Sequence, residues 1–242
     1  MDSIVNVNAT LSKARFLPAV ATWYGSPTGS GSGGACGLEN DVINAPYYGM
    51  ISAGKANLFR SGVECGTCYM VRCKDHPACS GSPIHVTITD ECPGLCNNEP
   101  FHFDLSGKAF GYLAKTGHEE ELRKTGRINI QYTSVRCHYK AHLAVKIDSG
   151  SNPYYVAMVV ENVNGDGEID RIEIMGQGLQ SWGWRDMQRD WGETWKFDVP
   201  SGTTGPFSIR FTDRSSRSVV AYRIIPANWA PGKTYYSRTN FL

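Results

Sequence analysis

All eight cysteines of this 242-residue chain, Cys36, Cys65, Cys68, Cys73, Cys79, Cys92, Cys96 and Cys137, fall within its first 137 positions, and the rest of the chain has none. An even number in a loop-rich, glycine-rich stretch fits disulfides made in an oxidising compartment. Five of the six tryptophans show the opposite bias: Trp182, Trp184, Trp191, Trp195 and Trp229 all lie in the last third. Halves this different in composition read as two separate cores, and the length exceeds the roughly 100–200 residues usual for one domain. A zinc reading of Cys65-x2-Cys68-x4-Cys73 with His76 and Cys79 is the weaker one, because zinc modules space two ligand pairs symmetrically about a loop. No metal and no cofactor is expected.

A formal net charge of +1 gives no large single-sign field to gather nucleic acid or an anionic membrane. No run of about 18 apolar residues is present to span a bilayer. Met1-Asp2-Ser3 opens a polar stretch without the apolar core of a signal peptide, so export implies a leader already removed or another route. Asn8-Ala9-Thr10 is a glycosylation sequon that agrees with export, with Asn8 the acceptor.

Residues 1–15 carry no period and read as an extension before a strand at 18–24. The Gly/Ser run at 25–34 contains a formal G-x-G-x-x-G, but Cys36-Gly37-Leu38-Glu39-Asn40 opens no helix, so a surface loop is the better reading than a dinucleotide site. Alternation predicts strands at 69–73, 84–89 and 128–132 and a helix at 105–114 with Ser106 as a cap. From position 143 the pattern is purely strand-like, with turns at sandwich spacing. The predicted domains are 16–138 and 143–242, joined by a linker at 139–142 too short for free tumbling.

The carboxylates that could carry chemistry are Asp90-Glu91, after a strand, and Asp104 in His102-Phe103-Asp104. Beside aromatic residues, Asp104 could have the raised pKa of a general acid, or it could cap the following helix; local sequence alone favours the cap. Thr22-Trp23-Tyr24 ends the first strand, and one of its adjacent aromatics must face outward, where it could stack on a sugar ring or pack on the core. Tyr154, Tyr155 and Trp191 are the surface aromatics expected of the second domain, with Trp184 and Trp195 as core anchors. The loop Asn164-Gly165-Asp166-Gly167-Glu168-Ile169-Asp170 has alternate oxygen donors but lacks a full calcium-loop pattern, so it reads as a hairpin turn.

Ala21-Thr22-Trp23-Tyr24-Gly25, Gly34-Ala35-Cys36-Gly37, Cys65-Gly66-Thr67-Cys68-Tyr69, Ile88-Thr89-Asp90-Glu91-Cys92, His102-Phe103-Asp104-Leu105-Ser106 and Ile225-Pro226-Ala227-Asn228-Trp229 together resemble the β-expansins over nearly the whole chain. The resemblance implies a mainly β protein: a six-stranded double-psi β-barrel similar to family-45 endoglucanases, then an immunoglobulin-like β-sandwich that binds carbohydrate. It implies disulfides Cys36–Cys65, Cys68–Cys137 and Cys73–Cys79, while Cys92 and Cys96, outside the six-cysteine pollen pattern, are expected to pair with each other.

By the same resemblance Asp104 matches the family-45 catalytic acid, and Thr22, Tyr24, Asp90 and His102 match other polar groups of that groove. The family-45 base follows the first-strand aromatics, where this chain has Gly25-Ser26 and no carboxylate to activate water. Tyr154, Tyr155 and Trp191 fall where family members carry a planar aromatic row. The implied function is binding of wall polysaccharide, cellulose, xylan or another matrix glycan, and disruption of glycan contacts without hydrolysis. A secreted, monomeric plant cell-wall protein that is not an enzyme is the expectation; the alternatives are a hydrolase or lytic transglycosylase using Asp104, and a passive binding module.

Overall fold

The computed structural model describes residues 15–177 and 183–242. Asn8, all but the last residue of the expected extension 1–15, and Trp182 lie outside the described residues.

Six strands close into a barrel in the order β1-β5-β2-β4-β3-β6: β1 Leu17–Tyr24, β2 Ile51–Gly54, β3 Cys68–Arg72, β4 Ile84–Glu91, β5 His102–Ser106 and β6 Ile128–Val135. Strands β1 and β5 pair in parallel, as do β2 and β4, and the other pairs are antiparallel. Phe103, Leu105, Ile88 and Val71 share the inner face and belong to the buried barrel core. Four disulfides, Cys36–Cys65, Cys68–Cys137, Cys73–Cys79 and Cys92–Cys96, cross-link the segments between and beyond the strands, with Cys68 on β3 itself.

The helix expected at 105–114 begins later, at Gly107–Tyr112, because Leu105 and Ser106 pair with Trp23 and Tyr24 as the end of β5. Ser106 Oγ caps it, accepting from Ala109 N at 3.0 Å and donating to Gly49 O at 2.6 Å. Asp104 is therefore a strand residue and not the cap. Strand β2, only four residues long and half small side chains, and the helix Glu119–Thr125 carry too short a period to be read from sequence.

Two sheets form the sandwich. One runs β10-β9-β13-β14 and the other β11-β12-β8-β7-β15, with β7 Ala144–Ile147, β8 Tyr155–Glu161, β9 Ile169–Gln177, β10 Arg185–Asp186, β11 Gln188–Trp191, β12 Thr194–Asp198, β13 Thr204–Asp213, β14 Ser218–Ile225 and β15 Thr234–Tyr236. Val156, Met158, Val160 and Trp195 of one sheet face Ile172, Ile174, Phe207 and Phe211 of the other. The period-2 alternation sends Tyr155, Ala157 and Val159 to the opposite face.

Barrel and sandwich are docked firmly. Tyr47 Oη accepts from Asn162 N at 3.1 Å, Cys137 and Gly165 exchange both backbone hydrogen bonds, and Glu193 N donates to Cys36 O at 3.0 Å. Charged groups meet there too: Lys146 Nζ lies 2.6 Å from Asp41, and Arg214 reaches both Glu64, at 3.1 Å, and Glu168, at 3.4 Å. Desolvation pushes the carboxyls of Glu161, Glu168 and Glu193 upward, and the neighbouring acids Asp41 and Glu64 push the first two further.

Candidate functional site

Strand register assembles a row across the barrel. Thr22 on β1 pairs with Asp104 on β5, Asp104 with Ala53 on β2, and Ala53 with Asp90 on β4. Register partners project to the same face of a sheet, so Thr22, Asp104 and Asp90 form one polar line, with the small side chain of Ala53 leaving space between the two carboxylates. His102 joins the line from two residues before Asp104, on the same face of β5.

The hydroxyl of Thr22 connects the other two groups. It donates to Asp104 Oδ1 at 2.5 Å, and His102 Nε2 lies 2.8 Å from the Thr22 Oγ1 itself. A hydroxyl that donates to a carboxylate can accept from an imidazole N–H, which assigns the His102 proton to Nε2 and leaves its buried Nδ1 as an unpartnered acceptor. Burial pushes the His102 pKa down, so the ring is neutral near pH 7. Burial also raises the Asp104 carboxyl, against the lowering effects of Thr22 and His102. Asp104 thus keeps its proton to higher pH than a free aspartate would, as suits a group that gives a proton.

Asp90 is tied differently. Its Oδ1 accepts from Ala35 N and from Glu91 N, each at 2.8 Å. The carboxylate thereby anchors the 3-10 turn Gly34–Cys36. A side chain at Gly34 would begin 2.9 Å from Asp90 Oδ2, and this close approach explains a glycine there without any bound phosphate. No α-helix follows the Gly/Ser run, as a dinucleotide site would require. Tyr24 shares the face of Thr22, and its hydroxyl exchanges hydrogen bonds with the backbone of Ser32 at 3.2–3.3 Å, while burial raises its pKa to about 12.

The stacking role expected of Trp23 does not fit its placement. Alternation sends it to the other side of β1, where it packs near Phe110 with ring centroids 6.4 Å apart and donates Nε1–H to Arg123 O at 3.1 Å. Glu91 is exposed at the end of β4. Trp184, expected in the core, is half-buried with the Arg210 guanidinium 4.8 Å from its ring centre, whereas Trp195 is a core residue. In the loop with alternate oxygen donors, Asp166 pairs with Arg217 and Glu168 with Arg214, so arginines occupy the carboxylates that a calcium reading would use.

On the sandwich, Trp191 and Tyr154 are exposed and Tyr155 is half-buried. Tyr155 and Trp191 lie on the outward face of the five-stranded sheet, since Trp191 pairs with Thr194 and Thr194 with the outward Val159. Trp191 reaches the barrel: a side chain at Gly37, whose φ is +81°, would meet its ring at 3.2 Å. The Gly34–Gly37 turn is therefore shared, held by Asp90 at one end and covered by Trp191 at the other. Sequence reasoning missed this link. The glycines at 34 and 37 were its visible signal, one for close approach and one for positive φ.

Comparison with known proteins follows this geometry. A family model described as the expansin C-terminal domain matches residues 143–226, and one described as lytic transglycolase matches residues 51–132. Expansin-B4 of Arabidopsis thaliana is 49% identical over 97% of this chain and 91% of its own length. Expansin-B9 of Zea mays is 46% identical over 94% of this chain and 84% of its own. The crystal structure of an apo expansin from Clavibacter michiganensis superposes with a TM-score of 0.71 at 25% identity, covering 94% of this chain and 98% of that one. A point mutant of that bacterial protein, 24% identical with the same TM-score, was crystallised in complex with cellohexaose.

Proposed function

This chain belongs to the expansin family, within its β-expansin group, and from that premise we propose that it loosens plant cell walls by binding polysaccharide and displacing glycan–glycan contacts without cutting a bond. The row Thr22, Asp104 and Asp90 with His102 and Tyr24 binds one stretch of glycan through polar contacts. Tyr154, Tyr155 and Trp191 bind another by stacking. The Gly34–Gly37 turn makes the two stretches continuous. Hydrogen bonds between glycan chains are each worth about 0.5–1.5 kcal/mol net in water, so binding energy of ordinary size suffices to open them locally. Secretion to the wall, with disulfides formed during export, belongs to the same reading.

The observation that carries it is the unequal state of the two carboxylates. Asp104 is held by a hydroxyl, but Asp90 is committed to two backbone amides, and Gly25-Ser26 stand at the strand end where a family-45 base would be. Inversion needs an acid and a base about 6.5–9.5 Å apart with a water between them. Without the base, the typical 10²–10⁴-fold contribution of general-base catalysis is missing.

The test pairs two assays on wild type, Asp104→Asn and Asp90→Asn: reducing ends released from cellulose, xylan and mixed-linkage glucan, and extension of wall strips under constant load. We expect no steady release by any of the three, and extension reduced several-fold in Asp104→Asn. A second reading has one observation in its favour, since the barrel matches a model described as lytic transglycolase and Asp104 is a desolvated acid. Steady release of chain ends abolished by Asp104→Asn would establish cleavage in place of loosening. Full binding with no extension by wild type would reduce the protein to a passive module.

A further inference from the structure

After Asp213 the chain carries five basic residues, Arg214, Arg217, Arg223, Lys233 and Arg238, and no aspartate or glutamate. Most sandwich arginines are spent on carboxylates: Arg171 on Asp186, Arg189 on Glu193, Arg210 on Glu173, Arg214 on Glu64 and Arg217 on Asp213. Arg223 and Arg238 are exposed and have no carboxylate partner among the described residues. Both line one groove of about 400 Å³ where β14, the edge of the four-stranded sheet, comes against β15, the edge of the five-stranded sheet. Two aromatic side chains line it as well, Tyr222, 76% exposed, and Tyr236, 65% exposed.

The backbone is bent to make this arrangement. The pairing of β13 with β14 slips between Phe207↔Ile225 and Ile209↔Ala221, so that three residues of β14 stand against one of β13. At the centre of the bulge Arg223 is left-handed, with φ +51°, and its N–H is taken by Ser208 Oγ at 3.0 Å. A regular strand would turn one of two successive side chains inward; here Tyr222 and Arg223 are both exposed. A non-glycine residue in that region is strained, and such strain clusters where side chains are aimed at ligands.

We propose that the β14–β15 groove is a second carbohydrate site, distinct from the barrel row and the Trp191 face, that takes a uronate-bearing glycan with its rings against Tyr222 and Tyr236 and its carboxylates on Arg223 and Arg238. The planar guanidinium fork matches a carboxylate in two parallel hydrogen bonds. The apolar CH face of a pyranose fits a flat aromatic ring. Two unpaired cations are too few for a nucleic acid, which is gathered by a longer basic track, and more than a neutral glucan would use. The site does not depend on whether the barrel row cuts, loosens or only binds.

Calorimetric titration of the full chain at low salt with hexagalacturonate and with its fully methyl-esterified form tests this directly. The acid should bind, and the ester, whose carboxylates are masked, at least tenfold more weakly. Arg223→Gln combined with Arg238→Gln should lower affinity for the acid at least tenfold with the thermal midpoint retained. The corresponding double Lys variant, with charge but no fork, should fall between. Tyr222→Ala should lower affinity several-fold. No detectable binding of the acid, equal binding of acid and ester, or an unchanged affinity in the folded double Gln variant overturns the proposal. Should that variant fail to fold, the comparison of acid with ester decides alone.

Discussion

The barrel closes strands of four to eight residues and holds all four disulfides, whereas the sandwich stacks strands of up to ten residues and has none. Short strands leave much of the barrel in loops, and loops bury little apolar surface against their ordering entropy. Cross-links restrict the unfolded chain instead. The proposed glycan-binding row fits such a construction: strand register brings Thr22, His102, Asp104 and Asp90 together, and Asp90 in turn holds the loop at Ala35. On the same proposal the sandwich presents Tyr154, Tyr155 and Trp191 from outside a continuous two-sheet core.

The largest effect should separate the halves by covalent dependence. Replacing Cys68 and Cys137 with serine opens a cross-link spanning 69 residues of sequence, worth about 4 kcal/mol on the loop-entropy account. Denaturant unfolding followed at separate probes should show the barrel transition shifted to lower denaturant, and the sandwich transition shifted less. Equal shifts would mean that the two halves unfold as one unit and that the contrast ends at the docked junction.

That junction supplies the second test. Glu161, which faces Asp41 and Lys146, and Glu168, which faces Glu64, Arg214 and Arg60, are each raised to about 7, chiefly by desolvation. A carboxyl raised in the folded protein keeps a proton that the unfolded chain has lost, so stability falls as pH climbs through that interval. The contribution is whole below the ordinary glutamate value of 4.5 and is lost as pH rises through about 7. The thermal midpoint should drop by several degrees or more between pH 5 and pH 8, each kcal/mol being worth about 2–4 °C in chains this long. Glu161→Gln with Glu168→Gln should flatten that slope, and a midpoint that rises across the window would sink the assignment.

Legibility differed between the halves for the same physical reason. The sandwich strands at 143–147 and 169–174 show in sequence because large apolar residues alternate with small or charged ones, Leu143, Val145 and Ile147 about Ala144 and Lys146, and Ile172 and Ile174 about Glu173. Strand β2, whose residues Ile51–Gly54 are all buried, has no such alternation, so the register that brings Ala53 between Asp90 and Asp104 could not be read. Asp104 could be named from its motif but not placed, because β5 takes the residues that look like the first turn of a helix. Trp23 and Tyr24 alternate across β1 as any strand must, yet only the packing of Trp23 on Phe110 decides which of the two faces the row. The carboxyls at the junction left no local signal, since Asp41 and Glu64, the acids that push Glu161 and Glu168 up, lie on the other domain.

The smallest effect bears on the sandwich face. Trp191 is an exposed sandwich aromatic that reaches the barrel, 48% exposed and against the Gly37 turn that Asp90 anchors. Trp191→Ala should weaken partition onto insoluble cellulose or xylan by a stacking-sized amount, about 1 kcal/mol or roughly fivefold, and Trp191→Phe by less. If the two surfaces act as one, the same substitution should also weaken cellohexaose binding in a protein that already carries Asp104→Asn, by a factor different from its effect in wild type. Identical factors in the two backgrounds would make barrel and sandwich independent binders joined only by a shared turn, and no loss in either would remove Trp191 from the surface altogether.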